Sequence, residues 1–369
     1  METLKTALPY ILVSFIICFV IVPLVKKIGL AIEAYAVENE RTVHHGKIVR
    51  IGGIAIYAAF IITMAIFVHP DSTFNAIIVG SMIVFLGGLI DDMFDLKPII
   101  KLVFQIVAAI YVVFVGHIQL NEINLGFITI KSMPIIYFIS LFWIVGVTNA
   151  INLIDGLDGL SCGISFITLC VIGFIAYQMR RIDVSIICLI LSGAIAGIIP
   201  YNFHPASIFV GDCGALFMGF MIACLSLLGF KATTFISLVF PLIILFIPLA
   251  DTSLAIIRRK ANGHRISEAD RSHLHHVLMY KIGLSHRNTV LLLYFVTLLF
   301  GIDAILMFFH QKAGLIMLLI LCFIMWLFIE LTGMIKSDFH PIIGLCRKLT
   351  GHPKKSANAY FDANKIKEE

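Results

Sequence analysis

Charged residues are scarce in this sequence, and their scarcity excludes a soluble globular domain. Of the 369 residues, only 13% are Asp, Glu, Lys or Arg, whereas 60% are hydrophobic. Soluble domains average about 25% charged and about 45–50% apolar residues. The mean hydropathy of +1.02 points the same way. The composition therefore predicts an integral membrane protein with many spans, whose core is a helix bundle in lipid.

Two sequence signals of other protein classes are also missing. The eight cysteines include no Cys-x-x-Cys pair, and most lie in apolar runs where cysteine behaves as a small hydrophobic residue. We therefore predict no disulfide framework and no zinc site. No A-x-A-like cleavage site follows the apolar run at 7–25, so this run is predicted to be a first span and not a signal peptide.

Eleven apolar windows are long enough to cross the hydrocarbon layer as helices, which takes about 17–25 residues. They lie at 7–26, 52–69, 74–90, 99–116, 133–150, 159–179, 184–200, 213–230, 233–250, 289–309 and 314–331. Between 118 and 131, partial alternation of apolar and polar residues predicts a small extracytoplasmic β-hairpin. The fold class is thus an all-α polytopic membrane protein, with one catalytic domain over 1–331 and a cytoplasmic tail over 332–369.

The distribution of Lys and Arg predicts the orientation. With eleven spans, 21 of these residues fall on one side and 6 on the other, and the richer side is expected to be cytoplasmic. The N-terminus should then face outward and the C-terminus inward; only Arg180-Arg181 argues locally against this. The polar clusters at 41–50, 91–101, 149–158, 202–212 and 251–276 all fall on the cytoplasmic side, which predicts an active site there.

Each connection is numbered after the window that it follows. The third connection, after the window 74–90, contains Asp91-Asp92 and Asp95. Adjacent carboxylates repel each other unless a cation offsets them, and such crowding is typical of a metal or acid/base site. On a helix Asp91 and Asp95 would share a face while Asp92 points about 100° away, so Asp91 and Asp92 should play different roles. A solvated span end is the alternative. Lys97 and Lys101 nearby are candidate substrate-binding residues.

The fifth connection places polar residues at a spacing of three: Asn149, Asn152, Asp155 and Asp158. In a regular helix each step of three leaves a side chain about 60° short of alignment, so the first and last would face opposite ways. They converge only if the helix unwinds, which the glycines at 156 and 159 permit. A capped turn is the alternative.

The seventh connection leads from Asn202 through Phe209 to Gly211-Asp212-Cys213-Gly214. Flanking glycines expose the Asp212 carboxylate at the start of a span. Because Mg²⁺ prefers a few carboxylates together with substrate phosphate oxygens, Asp212 is a candidate metal ligand. The alternative is an N-cap aspartate.

The ninth connection carries His273, His275 and His276 among basic residues that include Arg271. On a helix, His273 and His276 would share a face and His275 would be turned aside. The cationic surroundings favour phosphate recognition over zinc. A positive-inside loop explains the basic residues but not the histidines. The first connection adds another basic approach to a helix start, made of Arg41, His44, Lys47 and Arg50 before Gly52-Gly53.

Four motifs in this order carry a resemblance to a known family. They are D-D-x-x-D at 91–95, N-x-x-D-G-x-D-G at 152–159, F-x-G-D-x-G at 209–214 and H-x-H-H at 273–276. Together they resemble the polyprenyl-phosphate N-acetylhexosamine-1-phosphate transferases. The H-x-H-H form followed by Val277-Leu278 is similar to the GlcNAc-1-phosphate branch and differs from the muramyl-pentapeptide branch, in which H-H-H precedes Phe-Glu.

The resemblance implies transfer of GlcNAc-1-phosphate from UDP-GlcNAc to undecaprenyl phosphate in a bacterial inner membrane, with release of UMP. The implied cofactor is Mg²⁺, with Mn²⁺ as the alternative, and no nucleic acid is involved. By motif position, Asp212 and Asp92 would hold the metal, and Asp91 and Asp92 would handle the lipid phosphate, one of them as a candidate base. The uridine would lie among Asn152, Asp155, Asn202 and Phe209. The histidines at 273, 275 and 276 would contact the phosphate or the sugar.

Some details depart from the family pattern, and other functions stay open. Val49 and Ala215 stand where the family often has Pro and Ser, and the lost hydroxyl removes one potential ligand near Asp212. The alternatives are a phospho-MurNAc-pentapeptide transferase, a transporter of a lipid-linked anion, and a binding protein whose site has lost catalytic activity. The sequence leaves open whether the protein forms a homodimer and which polysaccharide pathway uses the product.

Overall fold

The chain forms a bundle of helices in this computed structural model, which describes residues 2–36, 47–124, 129–230, 239–261, 263, 273–335 and 341–342. The long helices are α1 (Glu2–Ala31), α3 (Ser72–Phe94), α5 (Met133–Ile154), α6 (Leu160–Gln178), α7 (Ile182–Asn202), α8 (Gly211–Gly229), α12 (His286–Phe309) and α13 (Gln311–Thr332). The shorter helices are α2 (Gly53–Phe67), α4 (Pro98–Phe114), α9 (Val239–Ile244), α10 (Phe246–Ala261) and α11 (Leu274–His276), which continues as a π-helical turn, Val277–Lys281.

The all-α polytopic class is confirmed. Within the described residues, eight helices are long and apolar enough to cross a membrane, and α2 and α4 are shorter apolar helices. Ten of the eleven predicted windows coincide with single helices, which often extend several residues beyond the predicted ends. The number of spans and the orientation stay predictions.

The ninth window, 233–250, differs from the expected single helix. Its described part consists of α9 and the start of α10, which are separated at Leu245. Pro248 explains the break, because a proline in a helix has no N–H to donate to the carbonyl four residues earlier. That carbonyl belongs to Ile244, the last residue of α9.

Helix α8 is the centre of the bundle. Every residue from Cys213 to Gly229 is buried, and α8 packs against α2, α3, α5, α6 and α7. Small residues allow the closest approaches, as in membrane bundles generally. A Cβ on Gly88 of α3 would lie 2.6 Å from the Cα of Cys213, so α3 and α8 touch through their backbones near Asp91 and Asp212.

In the part of the chain that the structure describes, two short antiparallel strand pairs lie between helices. Strands β3 (Ile123–Asn124) and β4 (Thr129–Ile130) form the hairpin that the sequence predicts, and 125–128 between them lie outside the described residues. Strands β1 (Tyr35–Ala36) and β2 (Ile48–Val49) pair in the first connection. The backbone N–H of Phe209 donates to the carbonyl of Val49 at 2.8 Å, which joins the first connection to the seventh.

Seven of the eight cysteines, all except Cys346, lie in the described part of the chain and are free thiols.

Candidate active site

Lys101 joins two of the predicted carboxylates. Its Nζ donates to Oδ2 of Asp91 at 3.0 Å and to Oδ2 of Asp212 at 2.8 Å. Asp91 lies in the last turn of α3, Lys101 in the first turn of α4 and Asp212 in the first turn of α8. Because one ammonium group is shared by two carboxylates, their mutual repulsion is offset at this point.

Asp92 has a different role from Asp91, as the helical geometry predicts. Its carboxylate is buried and accepts backbone hydrogen bonds from the N–H groups of Asp212 and Cys213, both at 2.9 Å. These are among the first N–H groups of α8, which have no partner inside their own helix. Arg50 Nη2 lies 4.0 Å from the same carboxylate. Asp92 therefore fixes the turn that carries Asp212.

Asn152 in the last turn of α5 is the second side-chain partner of Asp212. Its amide nitrogen donates to Oδ1 of Asp212 at 2.8 Å. One turn earlier, Asn149 instead exchanges hydrogen bonds with Gln105 of α4. The two amides that the sequence presents as equivalent thus have separate tasks, one at the carboxylate cluster and one between helices α4 and α5.

The backbone after α5 unwinds as predicted. The helix ends at Ile154, and Gly159 has a φ of +80°, a conformation that favours glycine. Asp155 is half-buried and accepts a hydrogen bond from Ser161 Oγ at 2.5 Å. Burial raises the pKa of Asp155 to about 7, and the charge of Asp212 acts in the same direction. Neutral and ionised Asp155 therefore coexist near neutral pH.

A cavity of about 320 Å³ opens beside these groups. Its lining comes from the first, third, fifth, seventh and ninth connections. It consists of Arg50, Asp92, Asp155, Gly156, Leu157, Asp158, Asn202, Phe209, Val210, Gly211, Asp212, His276, Met279, Tyr280 and His286. Ligand sites are typically cavities of about 300–1,000 Å³ with a few convergent polar groups, so the volume and lining suit a small polar ligand.

Asn202, which lines this cavity, has a buried side-chain amide. Its nitrogen donates to the carbonyl of Ile208 at 3.0 Å. Its Oδ1 is buried and has no hydrogen-bond partner among the described residues. Because an unsatisfied buried acceptor costs about 1–3 kcal/mol, a ligand N–H group that reaches Oδ1 would be stabilised.

The histidine segment is held by Asp251 of α10. His273 Nδ1 lies 2.8 Å from Oδ2 of Asp251, and the N–H of Leu274 donates to Oδ1 at 2.7 Å. The prediction that His275 is turned aside assumed one helix over 273–276, whereas His273 precedes α11. α11 begins only at Leu274, and the ring of His275 lies 5.8 Å from that of His273 and 4.3 Å from that of His276.

His275 and His276 differ in environment. His276 lines the cavity, whereas His275 is 2% exposed and lies behind the fifth connection. A Cβ on Gly156 would be 2.5 Å from Nε2 of His275. Burial, together with the proximity of His276, lowers the pKa of His275 to about 3. His275 is therefore a neutral imidazole that supports the loop.

Comparison with known proteins places the sequence among enzymes of lipid-linked sugar synthesis. The model of the glycosyl transferase family 4 matches residues 74–230. A Bacillus subtilis (strain 168) protein named as a probable undecaprenyl-phosphate N-acetylglucosaminyl 1-phosphate transferase is 38% identical over 92% of this chain and 95% of its own length.

The chain belongs to glycosyl transferase family 4. Within it, the chain is similar to further polyprenyl-phosphate transferases. The decaprenyl-phosphate N-acetylglucosaminephosphotransferase of Mycobacterium leprae is 31% identical over 83% of this chain and 85% of its own. The undecaprenyl-phosphate alpha-N-acetylglucosaminyl 1-phosphate transferase of Escherichia coli K12 is 31% identical over 73% and 74%. The resemblance is confirmed, and the chain is a sugar-phosphate transferase.

The donor set of this family 4 site suits a hard divalent cation. The Lys101 ammonium lies between the carboxylates of Asp91 and Asp212, so the space between these two carboxylates already holds a positive charge. Oxygen ligands of this kind are those that Mg²⁺ prefers. Asp212 and Asp91 could therefore hold the ion between them. Asp92, the other predicted ligand, uses both oxygens for backbone N–H groups, and its metal role stays a prediction.

Most predicted site residues come together, and some do not. Lys97 is exposed immediately before α4 and lies outside the cavity lining, as does Asn149. Arg41, His44 and Arg271 lie outside the described residues. His204 and His286, whose rings stack at 4.2 Å, were not among the residues predicted from the sequence. His204 belongs to the polar 202–212 cluster, so the sequence contains a signal that could have identified it. His286 has no such signal, because it is an ordinary polar residue at a helix start.

Proposed function

We propose that this enzyme transfers GlcNAc-1-phosphate from UDP-GlcNAc to undecaprenyl phosphate, giving undecaprenyl-diphosphate-GlcNAc and UMP. The observation that carries the proposal is the shared ammonium of Lys101 between Asp91 and Asp212, beside a cavity lined by five connections. Two anionic phosphates must meet in this reaction. In such a cluster the carboxylates can bind Mg²⁺ while the Lys101 ammonium moves to a phosphate group. The names of the relatives support the choice of donor and acceptor.

Asp212 and Asp91 are the residues that would hold Mg²⁺, with Asp92 fixing the turn that presents Asp212. When bound, Mg²⁺ neutralises the phosphate charge that develops during transfer. Lys101 then serves as a donor to the phosphate of the lipid acceptor. It lies in α4, a helix with exposed apolar residues such as Ile99 and Val103, so its ammonium is within reach of a lipid headgroup.

The chemical step is a single displacement. A phosphate oxygen of the lipid attacks the β-phosphorus of UDP-GlcNAc and forms a new P–O bond. The bond between the β-phosphorus and the bridging oxygen breaks, and that oxygen leaves with UMP. The second pKa of a phosphate monoester is about 6, so the attacking oxygen is largely deprotonated at neutral pH. Asp91 therefore acts mainly in positioning, which supplies most of the rate in phosphoryl transfer.

The nucleotide end of the cavity is formed by the fifth and seventh connections. Asn202 Oδ1 is a buried acceptor that the N3–H of uracil can satisfy, and Phe209 offers an aromatic ring at the cavity wall. Asp155 and Asp158 line the same region. His276 from the ninth connection also lines the cavity and would contact the diphosphate or the sugar.

The membrane arrangement belongs to the same proposal. Eleven spans with the N-terminus outside would place all five connections in the cytoplasm of a bacterial cell, where UDP-GlcNAc is available. The product would start synthesis of a cell-envelope polysaccharide of the teichoic acid or O-antigen type. The excess of Lys and Arg on these connections supports this orientation.

A direct assay tests the proposal. The purified protein is incubated with undecaprenyl phosphate, radiolabelled UDP-GlcNAc and Mg²⁺, and lipid-linked radioactivity and UMP are measured. Parallel reactions contain UDP-GalNAc or UDP-MurNAc-pentapeptide, and EDTA is added to test the metal requirement. We expect transfer from UDP-GlcNAc that is lost in Asp212→Asn and retained in Asp183→Asn, a variant of a carboxylate paired with Arg181 outside the site. Unchanged transfer in Asp212→Asn would reject the proposed site.

The one-step mechanism has its own test. The enzyme is mixed with donor labelled at the β-phosphate in the absence of lipid acceptor, and the reaction is quenched with acid or base. We expect no labelled protein and no release of UMP. A phosphorylated aspartate would instead establish a two-step route through a covalent intermediate.

A further inference from the structure

Asp158, His204 and His286 converge from three separate parts of the chain. Asp158 belongs to the turn between α5 and α6, His204 follows α7, and His286 is the first residue of α12. One ligand atom from each of the three side chains lies within 4.8 Å of the other two. None of the four family motifs contains either histidine.

The three side chains are already oriented. His204 Nδ1 lies 3.0 Å from Oδ2 of Asp158, and the same oxygen accepts a hydrogen bond from the N–H of Ala206 at 3.1 Å. The His204 and His286 rings stack with centroids 4.2 Å apart and planes inclined by 29°. Asp158 and His286 are buried. The Asp158–His204 contact holds these two side chains next to each other, so a metal ion that displaces this hydrogen bond can bind both of them.

We propose that Asp158, His204 and His286 form a binding site for a divalent transition metal ion of the zinc class, separate from the carboxylate cluster at Asp212. Imidazole nitrogens select such ions, whereas Mg²⁺ prefers oxygen ligands. Ligand bonds to zinc are about 2.0–2.2 Å long, so side-chain rotations that move the ligand atoms by about 1 Å complete the site. Two histidines and one carboxylate leave further coordination positions open.

Because of its position, a metal ion at this site would affect nucleotide binding. Asp158 and His286 both line the 320 Å³ cavity, so an ion held there faces the space proposed for the nucleotide. Its open positions, filled by water, reduce the room and polar contacts left for UDP-GlcNAc. Zinc should therefore inhibit the enzyme competitively with UDP-GlcNAc. This inhibitory effect rests on the proposed function, whereas the binding of the ion does not.

Metal binding is tested first, without any measurement of activity. Full-length protein with a non-histidine affinity tag is titrated with Zn²⁺ by calorimetry in detergent and excess Mg²⁺, and Co²⁺ absorption spectra report the ligand field. We expect one Zn²⁺ per chain, lost in His204→Gln and in His286→Gln. It should be retained in His310→Gln, a variant of an exposed histidine after α12, and in Asp212→Asn.

The outcomes of these experiments test the metal site and its inhibitory effect separately. Equal Zn²⁺ binding by wild type and the His204→Gln/His286→Gln double variant would overturn the site, whatever the transferase assay gives. Thermal unfolding of each variant, followed by tryptophan fluorescence, identifies a variant that fails to fold. In that event X-ray absorption of the wild type with Zn²⁺ decides, because scattering from two imidazoles is required. If Zn²⁺ binds but the KM for UDP-GlcNAc does not rise, the inhibitory part is wrong.

Discussion

Lys101 and Asp212 form an ion pair of 2.8 Å although they are 111 positions apart in the chain. The pair connects the start of α4 to the start of the central helix α8. Because the same ammonium also binds Asp91, Lys101 is the cation that allows two carboxylates to coexist at the site.

Replacing Lys101 with Met should abolish most activity and tighten the metal site. Loss of one positioned donor typically costs about 10²–10³ in kcat, and removal of the competing ammonium leaves Asp91 and Asp212 free for Mg²⁺. The measurements are kcat and the Mg²⁺ concentration for half-maximal activity. Lys97→Met, immediately before the same helix, is the matched control, and the exposed position of Lys97 predicts little change. Equal losses in both variants would contradict the assignment to Lys101.

A methyl group at Gly156 should disturb the support of the fifth connection. The new Cβ would lie 2.5 Å from Nε2 of buried His275, so the loop that carries Asp155 and Asp158 must shift. Displacement by about 1 Å can cost about 10²-fold in rate. We expect Gly156→Ala to lower kcat/KM with little change in Tm. Gly146→Ala in α5 is the control, since nothing lies within 4 Å of its Cβ.

Asp251 should act as a positioning residue for the histidine segment. Its two oxygens contact His273 Nδ1 and the N–H of Leu274, and Asp251→Asn cannot accept both hydrogen bonds in the same way. A buried donor without an acceptor costs about 1–3 kcal/mol, so we expect kcat to fall about 10-fold to 100-fold. Asp251→Glu should restore part of the rate, whereas failure of both to alter kcat would exclude this role.

The titration of Asp155 should appear in the pH dependence of nucleotide binding. Its pKa is raised to about 7, so the group is neutral below that pH and becomes negative above it. An anionic nucleotide binds better to the neutral form. The KM for UDP-GlcNAc should therefore rise about fivefold between pH 7 and pH 8.

The Asp155 measurement needs saturating undecaprenyl phosphate, because the lipid phosphate titrates with a pKa of about 6. Asp155→Asn carries no titratable carboxyl group, and its KM should stay constant over the same range. Persistence of the full pH dependence in Asp155→Asn would assign the titration to another group.

The sequence predicts much of the fold because lipid requires long apolar runs. Ten of the eleven windows coincide with single helices, and the hairpin near 118–131 is present. The windows do not predict the interruption at Leu245, because hydropathy does not register the missing hydrogen-bond donor of Pro248. The Gly-rich departure from helix after Ile154 was predictable, since the spacing of three cannot converge on a straight helix.

The site was predictable as a set of residues but not as a set of partners. Asp91, Asp92, Asn152 and Asp212 were selected by motif order, whereas Lys97 and Lys101 could not be separated, nor could Asn149 and Asn152. Their difference depends on which face of α4 or α5 meets α8. The burial of His275 behind Gly156 likewise depends on how the ninth connection packs on the fifth.

The amino-acid sequence alone is enough to identify a polytopic helical membrane enzyme of the sugar-1-phosphate transferase kind. The length of apolar runs and the order of the four motifs can both be read directly from the linear sequence. Three contacts become visible only in the folded chain. Lys101 lies between Asp91 and Asp212, Asp92 binds the first turn of α8, and Asp158 contacts His204 beside His286. These contacts arise from lateral packing of helices far apart in sequence, which no local period encodes.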